Sequence, residues 1–287
     1  MSVKIGIIGG SGLYEMGILK DTEEIEIETP FGKPSDKITI GKIKNKEVAF
    51  LPRHGKGHKY PPHQVNYRAN VFAMKECGVE YLISTAAVGS MKKTIKPGDF
   101  VIAEQLIDRS FKRATTFFED GIVAHVGFAD PFCKKLSDLA YQTIKKQDLD
   151  VHRGTYISME GPQFSTRAES KLYISWNVDV IGMTLAPEAK LAREAEMCLC
   201  GILTVTDYDC WYEAEEDVTV GNVVEILKKN NKNLANIIEN LIPKIDYERT
   251  CKCKNALEGA LITSPELIKK NVKPEIKKTL LSKYLKQ

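Results

Sequence analysis

The sequence predicts an α/β protein whose main domain has a central mixed, mostly parallel β-sheet flanked by helices. Strand-like apolar runs alternate with helix-like stretches along the chain, and this alternation is typical of a sheet covered by helices. The 287 residues are enough to bury a large core, in one large domain or two smaller ones. We find no repeats or low-complexity linkers, and we predict one domain over residues 1–245 and a lysine-rich extension over 246–287.

The predicted strands are continuous or alternating runs of apolar residues. They cover Val3–Gly9, Glu23–Glu28, Asp36–Ile43, Val48–Leu51, Val79–Thr85, Phe100–Leu106, Thr155–Met159, Val178–Ile181 and Cys198–Thr206. The predicted helices cover Val65–Cys77, Pro131–Lys146, Ser165–Trp176, Pro187–Met197 and Val218–Leu241. Gly78 stands at a C-cap position after the first helix, and Thr166 and Glu169 have capping-box spacing at the third. Because ligands of such sheets bind beyond the carboxyl ends of strands, polar residues at strand ends are the candidates for a site.

Charge and hydropathy argue against a nucleic acid or a membrane as partner. The formal net charge of +3 is too small to indicate binding to nucleic acid or to an anionic membrane surface. No apolar run reaches the roughly 18 residues that span a bilayer. The N-terminal stretch MSVKIGIIGG has no cleavage-site pattern of a secretory signal. We therefore expect a cytoplasmic protein.

The seven cysteines are odd in number and scattered, which is not the pattern of a disulfide framework. Cys198 and Cys200 lie in an apolar run, where we expect them to pack in the core. Cys251 and Cys253, in TCKCKN, are flanked by lysines that favour a reactive thiol. Two cysteines are too few for a metal site, and a redox pair or a local disulfide stays open for them.

Several strand ends have residues suited to an anion. Ser11 stands among three glycines in GIIGGSGLYE, and close-set glycines let backbone N–H groups approach an anion, although such a turn can also be purely structural. The stretch matches neither the dinucleotide fingerprint nor the Walker loop. Arg53 and His54 follow a strand in LPRHGKGHKY, and arginine suits bidentate phosphate binding. With Thr184 in GMTLAPE, these residues predict one anion site.

His54, His58 and His63 offer an alternative interpretation as metal ligands, at spacings of four and five residues. The stretch is a Gly/Pro loop, and no nearby carboxylate or cysteine completes a ligand set. We therefore predict no metal site.

Two acids end the apolar run of ILTVTDYDCW. Asp207 and Asp209 follow what is predicted to be a core strand, where a buried carboxylate costs several kcal/mol unless it is paired or protonated. An acid site beside an anion site suggests that a phosphate is bound next to a basic leaving group.

Taken together, six motifs resemble those of the 5′-methylthioadenosine phosphorylases, a branch of the purine nucleoside phosphorylase family. The motifs are GIIGGSGLY, TPFGKPSD, RHGKGHKYPPHQVNYRAN, EGPQFSTRAES, GMTLAPEAKLAREA and TDYDCW. The resemblance runs from about Val3 to Leu241 in consistent order, and the CKC tail resembles that of archaeal, heat-adapted members. It implies the nucleoside phosphorylase fold.

The resemblance also implies the roles of individual residues. The phosphate-binding positions are matched by Ser11, Arg53, His54, Ala86, Ala87 and Thr184. The nucleoside-binding positions are matched by Met183 along the ribose, Phe164 and Ser165 at the purine, Asp207 and Asp209 as purine-binding acids, and His58, Val220 and Val223 near the 5′ substituent. His125 resembles a histidine that reaches the neighbouring subunit's site. Two departures are Ala86, where the family has Thr or Ser, and Gln163, where it has Arg.

The implied reaction is phosphorolysis of the N-glycosidic bond of methylthioadenosine in purine and methionine salvage. Asp207 and Asp209 are the candidate catalytic residues: Asp207 is the candidate proton donor to the purine, and Asp209 is a second base contact or the group that keeps Asp207 protonated. Which of the two acids holds the proton stays open. Phosphate is a co-substrate, and neither a metal nor an organic cofactor is implied. The family forms trimers or hexamers, so a homo-oligomer is expected. Two alternatives stay open: a broad-specificity phosphorylase acting on adenosine, inosine or guanosine, and a nucleoside-binding protein that has lost catalysis.

Overall fold

The computed structural model describes residues 3–10, 17–212 and 220–285, with the side chains of 220–224 excepted. Its strands are β1 (Ile5–Gly9), β2 (Lys20–Ile25), β3 (Ile38–Ile43), β4 (Lys46–Pro52), β5 (Tyr81–Ser90), β6 (Phe100–Asp108), β7 (Val151–Ser158), β8 (Val180–Gly182) and β9 (Cys198–Tyr208). Its α-helices are α1 (Tyr67–Glu76), α2 (Lys134–Lys145), α3 (Arg167–Ser175), α4 (Leu185–Glu194), α5 (Val220–Leu241), α6 (Pro265–Asn271) and α7 (Pro274–Leu280).

The strands form one mixed sheet in the order β2-β3-β4-β1-β5-β8-β7-β6-β9. Strand β9 also pairs with β5, so the strands from β5 to β9 close into a ring. The pairs β4–β1, β1–β5 and β5–β9 are parallel, and their carboxyl ends therefore meet at one edge. The prediction of a mixed sheet flanked by helices is confirmed.

Strands β5 and β9 are longer than the sequence predicts. They pair in parallel from Tyr81 with Cys198 to Ser90 with Tyr208, so backbone hydrogen bonds hold the small residues of β5 and the acid Asp207 within the ladder. The prediction that β5 ends before Gly89 and Ser90 is wrong for this reason. The register shifts at one bulge, where Val88 pairs with Val205 but Gly89 pairs with Asp207.

Two large apolar clusters hold the helices against the sheet. One contains buried residues of α1 and α4, and the other contains buried residues of α2 and α5. The N-terminus of α3 has the predicted capping box between Thr166 and Glu169.

The C-terminal extension packs on the same core as the sheet. Leu257, Ile268 and Leu281 are fully buried and belong to the apolar cluster that contains α1. The domain boundary after residue 245 stays a prediction. Within the described part of the chain, no helix combines the length and the apolar character needed to cross a bilayer.

Candidate active site

The strand ends enclose a cavity of about 560 Å³. The parallel strands β1, β4, β5 and β9 contribute to its wall, with Gly10, Arg53, Thr85–Gly89, Thr204, Thr206 and Asp207. Their placement follows from the rule that ligands bind where parallel strands end. Residues after β7 and β8 and one side of α5 complete the wall, with Met159, Phe164, Met183, Thr184, Leu227, Asn231 and Leu234.

Arg53 borders the cavity as one member of a buried ion pair. Its guanidinium donates to the Glu188 carboxylate through Nε at 2.5 Å and Nη2 at 3.0 Å. Nη1 donates to the Thr85 carbonyl oxygen at 2.9 Å, and Nη2 also donates to the Ser84 hydroxyl at 2.9 Å. Arg53 is 2% exposed and Glu188 is 0% exposed, so each buried charge depends on the other to offset the free-energy cost of its desolvation. These bonds fix the guanidinium plane, and Nη1 has a second N–H for a ligand.

His54 lies beside Arg53 as a neutral ring. Burial, together with the charge of Arg53, lowers the pKa of its imidazole to about 4. Its Nδ1 is 2.8 Å from the Tyr60 carbonyl oxygen, a contact that assigns the ring proton to Nδ1. Nε2 is then an acceptor, suited to a protonated oxygen of an anion rather than to a bare one. The ring stacks on His58 with centroids 4.2 Å apart.

The N-terminus of α4 also borders the cavity. Thr184 stands at its N-cap position and is 5% exposed. Its backbone N–H donates to the Tyr156 hydroxyl at 3.0 Å. The positive end of a helix dipole favours an anion at this position.

The two acids differ in their environments. Burial raises the pKa of the Asp207 carboxyl, the hydrogen bond from the Thr206 hydroxyl at 2.6 Å lowers it, and the Asp209 charge raises it; the net direction is upward. Asp209 accepts from the Ser165 hydroxyl at 2.8 and 2.9 Å. Burial thus shifts the Asp207 carboxyl toward its protonated form.

Phe164 and Met183 lie on the wall formed by the loops after β7 and β8. Phe164 is 85% exposed, which is unusual for a phenylalanine that borders a cavity. Met183 is fixed through its backbone, because Arg113, whose side chain is buried, donates to the carbonyl oxygens of Met183 and Glu160.

The structure brings most predicted site residues together. The cavity wall includes Arg53, His54, His58, Ala86, Ala87, Phe164, Met183, Thr184, Asp207 and Asp209. Ser165 contacts it through Asp209. His125 is exposed and does not border the cavity in this single chain. Ser11 and the side chains of Val220 and Val223 lie outside the described residues.

A comparison with family models matches the phosphorylase superfamily over residues 4–243. The chain belongs to this superfamily. Among curated members, the S-methyl-5′-thioadenosine phosphorylase of Thermofilum pendens is 52% identical over 261 residues, which cover 91% of this chain and 99% of the relative. The S-methyl-5′-thioadenosine phosphorylase of Geobacter sulfurreducens is 52% identical over 278 residues, covering 96% of this chain and 97% of the relative.

Solved superfamily structures have the same fold. A methylthioadenosine phosphorylase from an antarctic soil metagenomic library aligns with a TM-score of 0.91 and 44% identity, over 98% of each chain. The methylthioadenosine phosphorylase of Schistosoma mansoni in complex with adenine aligns with a TM-score of 0.84 and 36% identity, over 90% of this chain and 97% of that one.

Sequence reasoning missed several members of this site. The sequence indicates only that Glu188 lies near the start of a helix. Its ion pair with Arg53, 135 residues away, leaves no local sequence pattern. Arg113 lies in RSFKRATTF, where no motif marks it. Thr204 and Thr206 alternate with apolar residues in β9, and this period-two pattern could have identified them as cavity-facing.

Proposed function

We propose that this chain cleaves S-methyl-5′-thioadenosine with inorganic phosphate, giving adenine and 5-methylthioribose 1-phosphate. One observation carries the proposal: a single cavity contains both a fixed arginine and a carboxyl group whose pKa is raised. The first suits an anionic nucleophile, and the second suits a leaving base that must be protonated. The curated relatives with this activity are similar over nearly the whole chain.

In the proposed mechanism, phosphate is held by Arg53, by the Thr184 hydroxyl at the N-terminus of α4 and by Ser11. Ala86 and Ala87 contribute their backbone rather than a hydroxyl. The neighbouring Thr85 and Thr204 both border the cavity and offer hydroxyls in compensation. Neutral His54 accepts a hydrogen bond from a protonated phosphate oxygen through Nε2. This arrangement holds the nucleophile in line with C1′, so its contribution is positional.

The leaving purine is proposed to receive a proton from Asp207. As the glycosidic bond breaks, the ribose becomes oxocarbenium-like and negative charge develops on the base. A protonated Asp207 donates to N7 and neutralises that charge, after which phosphate forms the new bond to C1′. Asp209, aligned by Ser165, accepts from the base, and Phe164 packs against the purine ring.

The 5′ substituent is proposed to face apolar residues of α5 and His58. Leu227 and Leu234 of this helix border the cavity, and we predict Val220 and Val223 to extend the same surface. An apolar wall suits a methylthio group better than a hydroxyl, because a hydroxyl would lose its hydrogen bonds with water.

We also propose a homo-oligomer, a trimer or a hexamer, in the cytoplasm. An oligomer would cover Phe164 and give His125 access to a neighbouring site. All seven cysteines are free thiols, which suits a reducing compartment.

The deciding experiment measures base release from methylthioadenosine, adenosine, inosine and guanosine, each with and without phosphate. We expect phosphate-dependent adenine release, with the highest kcat/KM for methylthioadenosine. Comparable rates for inosine and guanosine would support the broad-specificity alternative. Release without phosphate would identify a hydrolase, and binding without release would identify a nucleoside-binding protein.

A further inference from the structure

Four cysteines that are distant in sequence meet on the side of the sheet covered by α2 and α5. They are Cys133, Cys198, Cys251 and Cys253, and their Sγ atoms all lie within 4.8 Å of one another. Cys133, Cys198 and Cys253 are buried, and Cys251 is half-buried. The sequence alone suggested at most a local pair between Cys251 and Cys253. The fold adds two further thiols that no spacing motif could indicate.

Each thiol is presented by a fixed element. Cys198 is the first residue of β9, and Cys133 is the N-cap residue of α2. The backbone N–H of Cys133 donates to the Leu199 carbonyl oxygen at 2.8 Å, which fastens these two elements together. Cys251 and Cys253 stand at a single 3₁₀ turn, Lys252–Asn255. Two ligands therefore come from the sheet domain and two from the C-terminal extension.

We propose that this cluster is a structural zinc site that fastens the C-terminal extension to the sheet domain. Structural zinc sites made of four thiolates are tetrahedral, with Zn–S distances of about 2.3 Å, which places the sulfur atoms roughly 3.8 Å apart. The mutual approach of four sulfur atoms suits this geometry. The Sγ atoms of Cys198 and Cys251 are 3.2 Å apart.

The surroundings suit the charge of such a centre. Four thiols release four protons on binding Zn²⁺, which leaves a net charge of about −2 on the metal and its ligands. The N-terminus of α2 directs the positive end of its dipole toward Cys133. Lys135 of its first turn donates to the Thr250 hydroxyl at 3.2 Å, next to Cys251. Lys252 and Lys254 flank Cys253.

The test begins with the metal content of the full-length chain, purified with a thiol reductant and without chelator. Elemental analysis is expected to find about one zinc per chain, or apoprotein titrated with Zn²⁺ is expected to bind one. The variant C251S/C253S should lose at least about tenfold in bound zinc. The control C77S, which alters a buried cysteine outside the cluster, should keep it. Replacement by Co²⁺ should give the thiolate charge-transfer and tetrahedral ligand-field absorption of a four-sulfur site.

Two results would overturn the proposal, and neither depends on catalysis. Mass spectrometry after alkylation under denaturing, non-reducing conditions could find these cysteines joined in disulfides. Alternatively, all four thiols could alkylate while the reduced native chain takes up no zinc, and the cluster would then be ordinary core packing. Removing zinc should also lower the Tm of the wild-type chain and leave that of C251S/C253S unchanged.

Discussion

Asp207 is the residue on which the proposed chemistry depends most. Replacing it by Asn keeps its size but removes the acidic proton, so we expect kcat to fall by about 10²-fold or more, the usual scale for a general acid. Steady-state assays with methylthioadenosine and phosphate measure the effect. Asp130→Asn, at an exposed position, is the matched control and should leave kcat unchanged. Near-normal turnover in Asp207→Asn would exclude Asp207 as the proton donor.

Arg53 is predicted to bind phosphate, but its removal alone would leave Glu188 buried without a partner. Breaking a buried ion pair costs about 3–5 kcal/mol, so a single variant would confuse folding with binding. The double variant Arg53→Gln/Glu188→Gln removes both charges. Since a charge-assisted hydrogen bond contributes about 1.5–3 kcal/mol, we expect KM for phosphate to rise roughly 10- to 100-fold.

The double variant is assessed by comparing its KM for phosphate with its KM for the nucleoside. KM for the nucleoside should change little, because neither residue is predicted to contact it. The Tm of the double variant, measured beside KM, separates a loss of folding from a loss of phosphate binding. An unchanged KM for phosphate in the double variant would contradict the predicted anion site.

At the scale of elements, the bulge between β5 and β9 orients the acids. A Cβ added at Gly89 would lie 3.2 Å from Ile181 Cγ2, 3.3 Å from Asp207 Oδ1 and 3.6 Å from Asp209 Cβ. Gly89→Ala therefore requires Ile181 and Asp207 to give way by a few tenths of an ångström, and misplacement of a catalytic group is costly. We expect about a tenfold loss in kcat with KM for phosphate preserved. Gly127→Ala, whose Cβ would meet nothing within 4 Å, should behave as wild type.

The elements themselves were largely predictable from the sequence, because apolar periodicity reports local burial. Within residues 3–10, 17–212 and 220–285, the nine strands and the helices α1 to α5 overlap their predicted ranges. The errors lie where pairing overrides local chemistry, as when the ladder with β9 carries β5 through Gly89 to Ser90. Strand-end site residues such as Arg53 and Asp207 could be predicted from the sequence because parallel strands bring their ends together. Glu188 and the four-cysteine cluster could not be predicted, since both depend on contacts distant in sequence.

At the scale of the whole molecule, Glu194 links stability to pH. This carboxyl at the end of α4 is 6% exposed and accepts from the Thr116 hydroxyl and the Phe117 backbone N–H, each at 2.7 Å. Burial raises its pKa from 4.5 to about 7, and the two hydrogen bonds oppose this shift without cancelling it. The folded chain therefore binds this proton more tightly than the unfolded chain does.

The sign of the effect follows from that difference. The stabilisation from the Glu194 proton is fully present below about pH 4.5 and is lost as the pH rises through about 7. The free energy involved is on the order of 3 kcal/mol, at about 1.4 kcal/mol per pKa unit. Glu194→Gln is neutral at every pH and can donate to Thr116 while it accepts from Phe117. Its Tm should therefore exceed that of the wild type by a margin that grows from pH 5 to pH 8, as measured by thermal denaturation. Glu23→Gln, at an exposed position on β2, should follow the wild type throughout. A margin that stays constant across this range would mean that Glu194 does not titrate there.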